Sequence, residues 1–434
     1  MADDFEAALR QGLMTLAREA VPDAPASHEA LAAMRSVSPR RARRLGPRLL
    51  AAGIAVAVAT ASVVVALSVH SRSHTPVISS SARWMQIAPF PLAPRSAQAA
   101  VFTGHEVIVW GGRSDAAGAV APAAGPSSPR YTLGDGAAYD VGTDRWRVLP
   151  RPPIAGRYDA VAVWTGTEML VVGGRRDHAE PQGGIGFLPN GAAYDPAHRS
   201  WRRLPAAPVC PMFGAWTGTQ LVVGGSCADI AGARPVFAAY DPVHDTWSTF
   251  PVFASATQLV AARGRLYAWS SATGRSAVFE PGPRRWRALP AIRQGHLEDS
   301  IVVAYEDRLA VIGRESGTDG GPDLGAFFFF DPRGRAWTGA ASRIGPPIGG
   351  SVAVAAAGAV VWSGFGLSSV STDPAVRRIA FANVGDAPIS LDRTGESIVA
   401  IGYRRFLVWG GRLAGNEHNQ TNYPTADGAI LQLP

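Results

Sequence analysis

Lysine is missing altogether: the 434 residues include 41 basic side chains besides histidine, and every one is an arginine. With the many alanines, this reads as the GC-rich coding bias of a bacterial genome and not as a device for gripping nucleic acid. Helix-turn-helix patterning, zinc-finger spacing and RNA-binding aromatic signatures are missing too, which excludes nucleic acid as a partner despite a net charge of +7. The excess is local, because Arg35, Arg40, Arg41, Arg43, Arg44 and Arg48 stand in one short run and the rest of the chain is only mildly basic. Cysteine is scarce, with Cys210 and Cys227 its only two occurrences.

Charge is absent from one long stretch, residues 49–69, LLAAGIAVAVATASVVVALSV. That is enough apolar chain to cross a hydrocarbon core of roughly 30 Å as a helix. The arginine run on its N-terminal side sets the orientation, with residues 1–48 cytoplasmic and everything after about residue 70 exported. A cleaved secretory signal is the competing reading. The leading segment and the apolar run are both too long for it, although a small-residue site near Ala66 to Ser68 keeps cleavage open. Residues 70–82, rich in Ser, Thr and Pro, then form the tether to a domain at residues 83–434.

Within residues 1–48, Phe5, Leu9, Leu13 and Leu16 recur at helical spacing, Asp3 and Asp4 stand at the start, and Pro22 ends the pattern. The bland reading is a marginal helix that forms only against a partner or the membrane surface. The functional one is a docking segment, within residues 1–38, for a cytoplasmic protein.

From Trp84 onward the chain repeats itself. Asp140 to Trp146 returns as Asp195 to Trp201, Asp241 to Trp247, Glu280 to Trp286 and Asp331 to Trp337, each copy preceded by Tyr139, Tyr194, Tyr240, Phe279 or Phe330. Between copies lie two apolar runs joined by a tight turn, as in Ala160 to Trp164, Thr165 and Gly166, then Met169 to Val172. A glycine early in a two-residue loop marks an antiparallel hairpin. A third run ends in the aromatic-acid pair and the tryptophan opens a fourth, so each unit is a four-stranded sheet.

Small-residue pairs or their remnants end seven such hairpins: Gly111–Gly112, Gly173–Gly174, Gly224–Gly225, Ser270–Ser271, Gly313, Ser363–Gly364 and Gly410–Gly411. Ile379 stands in the tryptophan slot of the sixth unit. The last unit has three strands, and the orphan strand at Trp84 supplies its fourth, closing the ring and leaving no exposed edge. The expected fold class is therefore all-β, a seven-bladed propeller latched by its N-terminal strand and preceded by a single transmembrane helix and a short helical cytoplasmic segment.

The double glycine followed by a spaced tyrosine and tryptophan (Gly111, Gly112, Tyr139, Trp146; Gly173, Gly174, Tyr194, Trp201; Gly224, Gly225, Tyr240, Trp247) resembles the kelch-repeat propellers. The resemblance covers residues 84–434 and weakens from the fourth to the sixth unit. It implies ligand binding on the face where second-to-third-strand loops and blade-to-blade loops meet. The repeat residues themselves are structural: glycines for close backbone approach, acids for turns, tryptophans as wedges between blades.

Candidate site residues are therefore sought in the unrepeated loops, 113–135, 175–190 and 412–427. Arg95 and Arg157, each eleven residues after a tryptophan, could point into the channel and hold an acidic ligand. Arg113, Arg175, Arg176, Asp177, His178, His296, Arg314, Arg412, Glu417 and His418 complete the channel-mouth set. No catalytic residue, metal ligand or cofactor is assigned. Continuing the register of the third hairpin sets Cys210 opposite Cys227, so an exported domain would bridge them. That pairing leaves no match to the cysteine-tyrosine copper chemistry of the galactose oxidases, which share the architecture.

The expected function is a ligand- or protein-binding module, membrane-anchored through lipid contacts of residues 49–69 and facing an extracytoplasmic protein or glycan. The alternatives are a carbohydrate-active enzyme on the same scaffold, whether isomerase, lyase or oxidase, and a transmembrane sensor signalling through the N-terminal helix.

Overall fold

A computed structural model describes residues 82–433 apart from 115–130, 178–184, 228–235, 263, 293–296, 306–307, 316–323, 332–334, 343–351, 356–358, 365, 374–377, 384–386, 390–392 and 414–423. For Val352–Ala355, Ala359–Gly364, Gly366–Asp373 and Arg378–Asn383 it describes backbone pairing alone. All described strands belong to the compact unit His74–Pro434.

The strands form seven four-stranded antiparallel sheets, numbered here in chain order. Sheet one is Ala99–Phe102, Glu106–Trp110, Gly136–Asp140 and Arg145–Val148. Sheet two is Val161–Trp164, Met169–Val172, Gly191–Asp195 and Ser200–Leu204. Sheets three, four and five begin at Pro211–Trp216, Gln258–Ala262 and Leu297–Tyr305, and sheet six at Val352–Ala355. Sheet seven joins Ser397–Gly402, Arg405–Trp409 and Gly428–Gln432 to Arg83–Gln86, with Trp84 opposite Leu431. The first strands of successive sheets lie side by side, and the one at Ser397 meets the one at Ala99, so the arrangement is a closed β-propeller.

The expected fold class is corrected in two respects. Packed side-chain cores are described for six blades, and the sheet from Val352 to Asn383, whose repeat carries Ile379 in the tryptophan slot, is described by its backbone alone. The second respect is the helical lead. Among the described residues there is no helix at all, and none long and apolar enough to cross a membrane. The expected span at 49–69, the segment 1–48 and the tether lie outside the described residues.

The repeat earns its regularity in the joints between sheets. Each tryptophan indole donates to the carbonyl four residues after the preceding tryptophan: Trp146 to Ala88 (2.9 Å), Trp201 to Pro150 (3.0 Å), Trp247 to Pro205 (2.9 Å), Trp286 to Pro251 (2.7 Å) and Trp337 to Pro290 (2.7 Å). Arginines add a second latch. Arg147 grips the Glu106 carboxylate of its own sheet through Nε (3.0 Å) and Nη2 (2.7 Å), and reaches Tyr194 Oη of the next sheet at 2.9 Å. Arg202 repeats this with Glu168 and Tyr240. The acids of the third-to-fourth turns cap backbone amides as their spacing implies: Asp140 accepts from Gly142 and Thr143, and Asp195 from Ala197 and His198.

The double glycines serve the neighbouring sheet more than the axis. Gly112 N donates to Arg157 O (2.8 Å), Gly174 N to Pro211 O (3.3 Å) and Gly411 N to Arg95 O (2.9 Å). A Cβ at Gly111 would meet Arg157 O at 2.6 Å, and one at Gly173 would fall even closer to Pro211 O. Both glycines also have positive φ, which a side chain resists.

Candidate functional site

Three arginines at the start of inner strands are buried and bound to backbone. Arg95 is 0% exposed and donates to Ala93 O, Gly111 O, Asp135 O and Asp135 Oδ1. Arg157, 1% exposed, donates through Nη1 to Gly173 O (2.9 Å) and Asn190 O (2.8 Å), and through Nη2 to Asn190 Oδ1 (2.7 Å). Arg393 donates to Gly410 O (2.8 Å) and Asp427 Oδ1 (3.0 Å). Each therefore clamps the double glycine of its own hairpin to the residue that opens the third strand. Neither Arg95 nor Arg157 exposes its guanidinium to a channel ligand.

The residue two places after each clamp lies in the left-handed region: Ala97 (φ 56°), Asp159 (φ 53°) and Gly395 (φ 67°). These residues are strung together, Ala97 N donating to Gly395 O (2.7 Å) and Asp159 N to Ala97 O (2.9 Å). Sheets seven, one and two thus share one continuous rim.

Above this rim the hairpins of the same three sheets continue as two-stranded ribbons. Arg113–Ser114 pairs with Tyr131–Thr132, Arg175–Asp177 with Ile185–Phe187, and Arg393–Thr394 with Arg412–Leu413. The structure brings Arg113, Arg175, Arg176 and Asp177 to one cluster over sheets one and two. Arg113 stacks over the Tyr158 ring at 4.7 Å, Tyr158 Oη donates to Asp177 Oδ1 at 3.0 Å, and Asp177 N donates to Thr132 Oγ1 at 3.3 Å. Arg175 lies 3.7 Å from Asp159 and 5.5 Å from the Phe187 ring centroid. Burial, with the Asp177 hydrogen bond second, pushes the Tyr158 hydroxyl above its ordinary range. Arg176 is exposed. Arg412 sits in the ribbon over sheet seven, bridged to Pro424. His178, His296, Glu417, His418 and the Arg314 side chain lie outside the described residues. No group of three metal-ligating side chains occurs among the described residues.

A cleft of about 640 Å³ opens between sheets one and two. One wall is Thr132 to Asp135, the other is the connection from Leu149 to Gly156, and Arg176 stands at its edge. Its floor is a meeting of two backbones: Arg157 N donates to Leu133 O (3.0 Å), and a Cβ on Gly156 would approach Gly134 N to 2.8 Å. Sequence reasoning passed over Arg151, Gly134 and Gly156, which form the cleft, and Arg393, which completes the clamp set. Arg393 was findable from its distance ahead of Gly410, since Arg95 and Arg157 stand sixteen residues before Gly111 and Gly173 and Arg393 seventeen before Gly410.

Cys210 and Cys227 are bonded, Sγ to Sγ 2.10 Å with Cα atoms 4.8 Å apart. The ladder does not run straight to them. It steps between Phe213–Gly224 and Pro211–Gly225, leaving Met212 out of register, so the simple opposition inferred from the hairpin turn is displaced.

No protein family matches this chain, and no curated protein matches it.

Proposed function

We propose that the chain is an extracytoplasmic kelch-type propeller, held at the cell membrane by residues 49–69, that works as a ligand- or protein-binding module. The carrying observation is the elaboration of one face: among the described residues, two-stranded ribbons rise over sheets seven, one and two, and an exposed arginine and a cleft lie among them. A rigid ring offering a few built-up loops is a common way to place recognition groups. The arginine run before residue 49 supports the orientation.

Two measurements test this. Alkaline phosphatase fused after residue 82 is expected to be active and fused after residue 45 inactive; equal activities would remove the anchor orientation. Full-length protein in detergent micelles is expected to retain ligands from a panel of envelope glycans and proteins, and to lose them on Arg113→Gln with Asp177→Asn. Retention that ignores both changes would move the binding face elsewhere.

A further inference from the structure

The cleft between sheets one and two differs from its counterpart one sheet along. Gly111 N donates to Asp135 O and Gly173 N to Asn190 O, which makes Asp135 and Asn190 equivalent and sets Gly134 against Pro189. At the second joint Pro189 O is taken by Ala207 N; at the first, Gly134 and Gly156 let the two backbones meet as the floor of the cleft. The floor of the opening thus rests on glycine at two places where a side chain would force the backbones apart.

Its charge is equally particular. The clamps at Arg95 and Arg393 each have a carboxylate, Asp135 and Asp427. Arg157 has Asn190 in that place and, among the described residues, only neutral acceptors: Ala155 O, Gly173 O, Asn190 O and Asn190 Oδ1. A buried cation without a counter-charge is costly and leaves a positive potential behind the Ala155–Gly156 wall. Burial, and then the neighbouring Arg176, push the Arg157 guanidinium down to about 10. Arg151 and Arg176 line the opening, are exposed, and have no ion-pair partner among the described residues. The one acid of the lining, Asp135, is already held by Arg95 at 2.9 Å.

Apart from Thr132, the rest of the lining is aliphatic side chains, prolines and backbone, including Leu149, Pro150, Pro152 and Ile154. Among the described residues no aromatic ring lines it, and none offers the flat platform on which sugar rings stack. Extended backbone with short apolar side chains fits such a wall, and arginines select acids from among such segments.

We propose that this cleft binds an acidic peptide segment of a partner protein, with Arg151 and Arg176 contacting its carboxylates and the uncompensated charge of Arg157 favouring it from behind. This deepens the binding-module reading and rests on it, but fixes a location between two sheets and a ligand class.

The experiment uses full-length protein in detergent micelles and fluorescein-labelled hexapeptides bearing two glutamates one to four residues apart, with glutamine versions as controls. Fluorescence anisotropy is expected to show binding of at least one glutamate spacing, and at least tenfold weaker binding of its glutamine version. Arg151→Gln and Arg176→Gln should each weaken binding about tenfold, the size of one charge-assisted contact. Asn190→Asp, which supplies the missing counter-charge without touching the cleft surface, should weaken it several-fold. Arg285→Gln, on sheet four, should leave it unchanged. Absence of binding by every glutamate peptide, or binding that neither arginine change weakens, overturns the proposal. Binding of labelled oligogalacturonate that Arg151→Gln and Arg176→Gln weaken, with no peptide bound, would reassign the cleft to a glycan and overturn the peptide claim. In either case the wider binding face stands or falls on the Arg113 and Asp177 variants alone.

Discussion

In sheet two Arg157 reaches from the start of the inner strand to Gly173 and Asn190 at the far end of its hairpin, while in sheet three the Cys210–Cys227 bond crosses between the corresponding stretches. The correspondence comes from the joints: Gly112 N finds Arg157 O, and Gly174 N finds Pro211 O in the same role. One fastening is a buried cation that satisfies four acceptors at once. The other is covalent and needs no desolvated charge. Sheet four has neither, and there Thr257 Oγ1 and Ser271 Oγ meet at 3.1 Å. The fold tolerates several chemistries at this point because what it requires is only that the hairpin end be tied to the strand that lies beside it.

Breaking the arginine fastening should have the largest effect. Arg157→Ala leaves the buried Gly173 O without its donor, strips Asn190 O of one of its two, and opens a cavity, for a loss of about 3–4 kcal/mol. The unfolding midpoint of the full chain in detergent checks it. Arg95→Ala should cost less, because Asp135 is about half exposed (47%) and water can replace the guanidinium there. Equal losses would show that the exposure of Asp135 does not soften the loss of its partner.

The covalent fastening comes next. Its loop closes over a separation of 17 residues, for which chain entropy gives about 3 kcal/mol, less any strain the native state relieves. Cys210→Ser with Cys227→Ser should therefore lower the midpoint by slightly less than Arg157→Ala does. A reductant should have the same effect on the parent protein and none on the double variant. If the double variant is as stable as the parent, the bond only decorates a joint already held by Gly225 and Pro211.

Why the two fastenings were unequally legible follows from spacing. The tryptophan repeat could be read because one residue per unit makes one bond per joint at a fixed offset, so Trp84, Trp146, Trp201 and Trp247 announce Ala88, Pro150, Pro205 and Pro251. The cysteine pair was visible from the turn at Gly218, although the step at Met212 was not. Arg95 and Arg157 stood out by position, yet nothing in their spacing told that they turn inward to carbonyls. Arg393 follows Ile379 by a longer interval and escaped the pattern. The cleft was hidden for a different reason: Gly134, Gly156, Arg151 and Arg176 come from three separate stretches, and their meeting depends on the absence of side chains.

The smallest expected effect compares the outer turns of sheets one and two. Asp195 holds His198 Nδ1 at 2.6 Å as well as two backbone amides, whereas Asp140 in the matching turn faces Thr143. The His198 hydrogen bond is the first cause holding the Asp195 carboxyl below its ordinary value of 3.8. The same bond holds the His198 imidazole above 6.5. The lowered acid stabilises the fold above its ordinary value and loses that contribution as pH falls through its folded value. The raised histidine contributes fully below 6.5 and loses its contribution as pH rises through its folded value. The pair is therefore complete between those limits and weakens on both sides. His198 is solvent-exposed, so the effect is screened and salt-sensitive. His198→Thr, which copies the first turn, should leave the midpoint nearly unchanged at pH 8 and lower it slightly at pH 5.5, with the difference shrinking in molar salt. A variant that tracks the parent at both pH values would show that the second turn, like the first, is held by the carboxylate's backbone bonds alone.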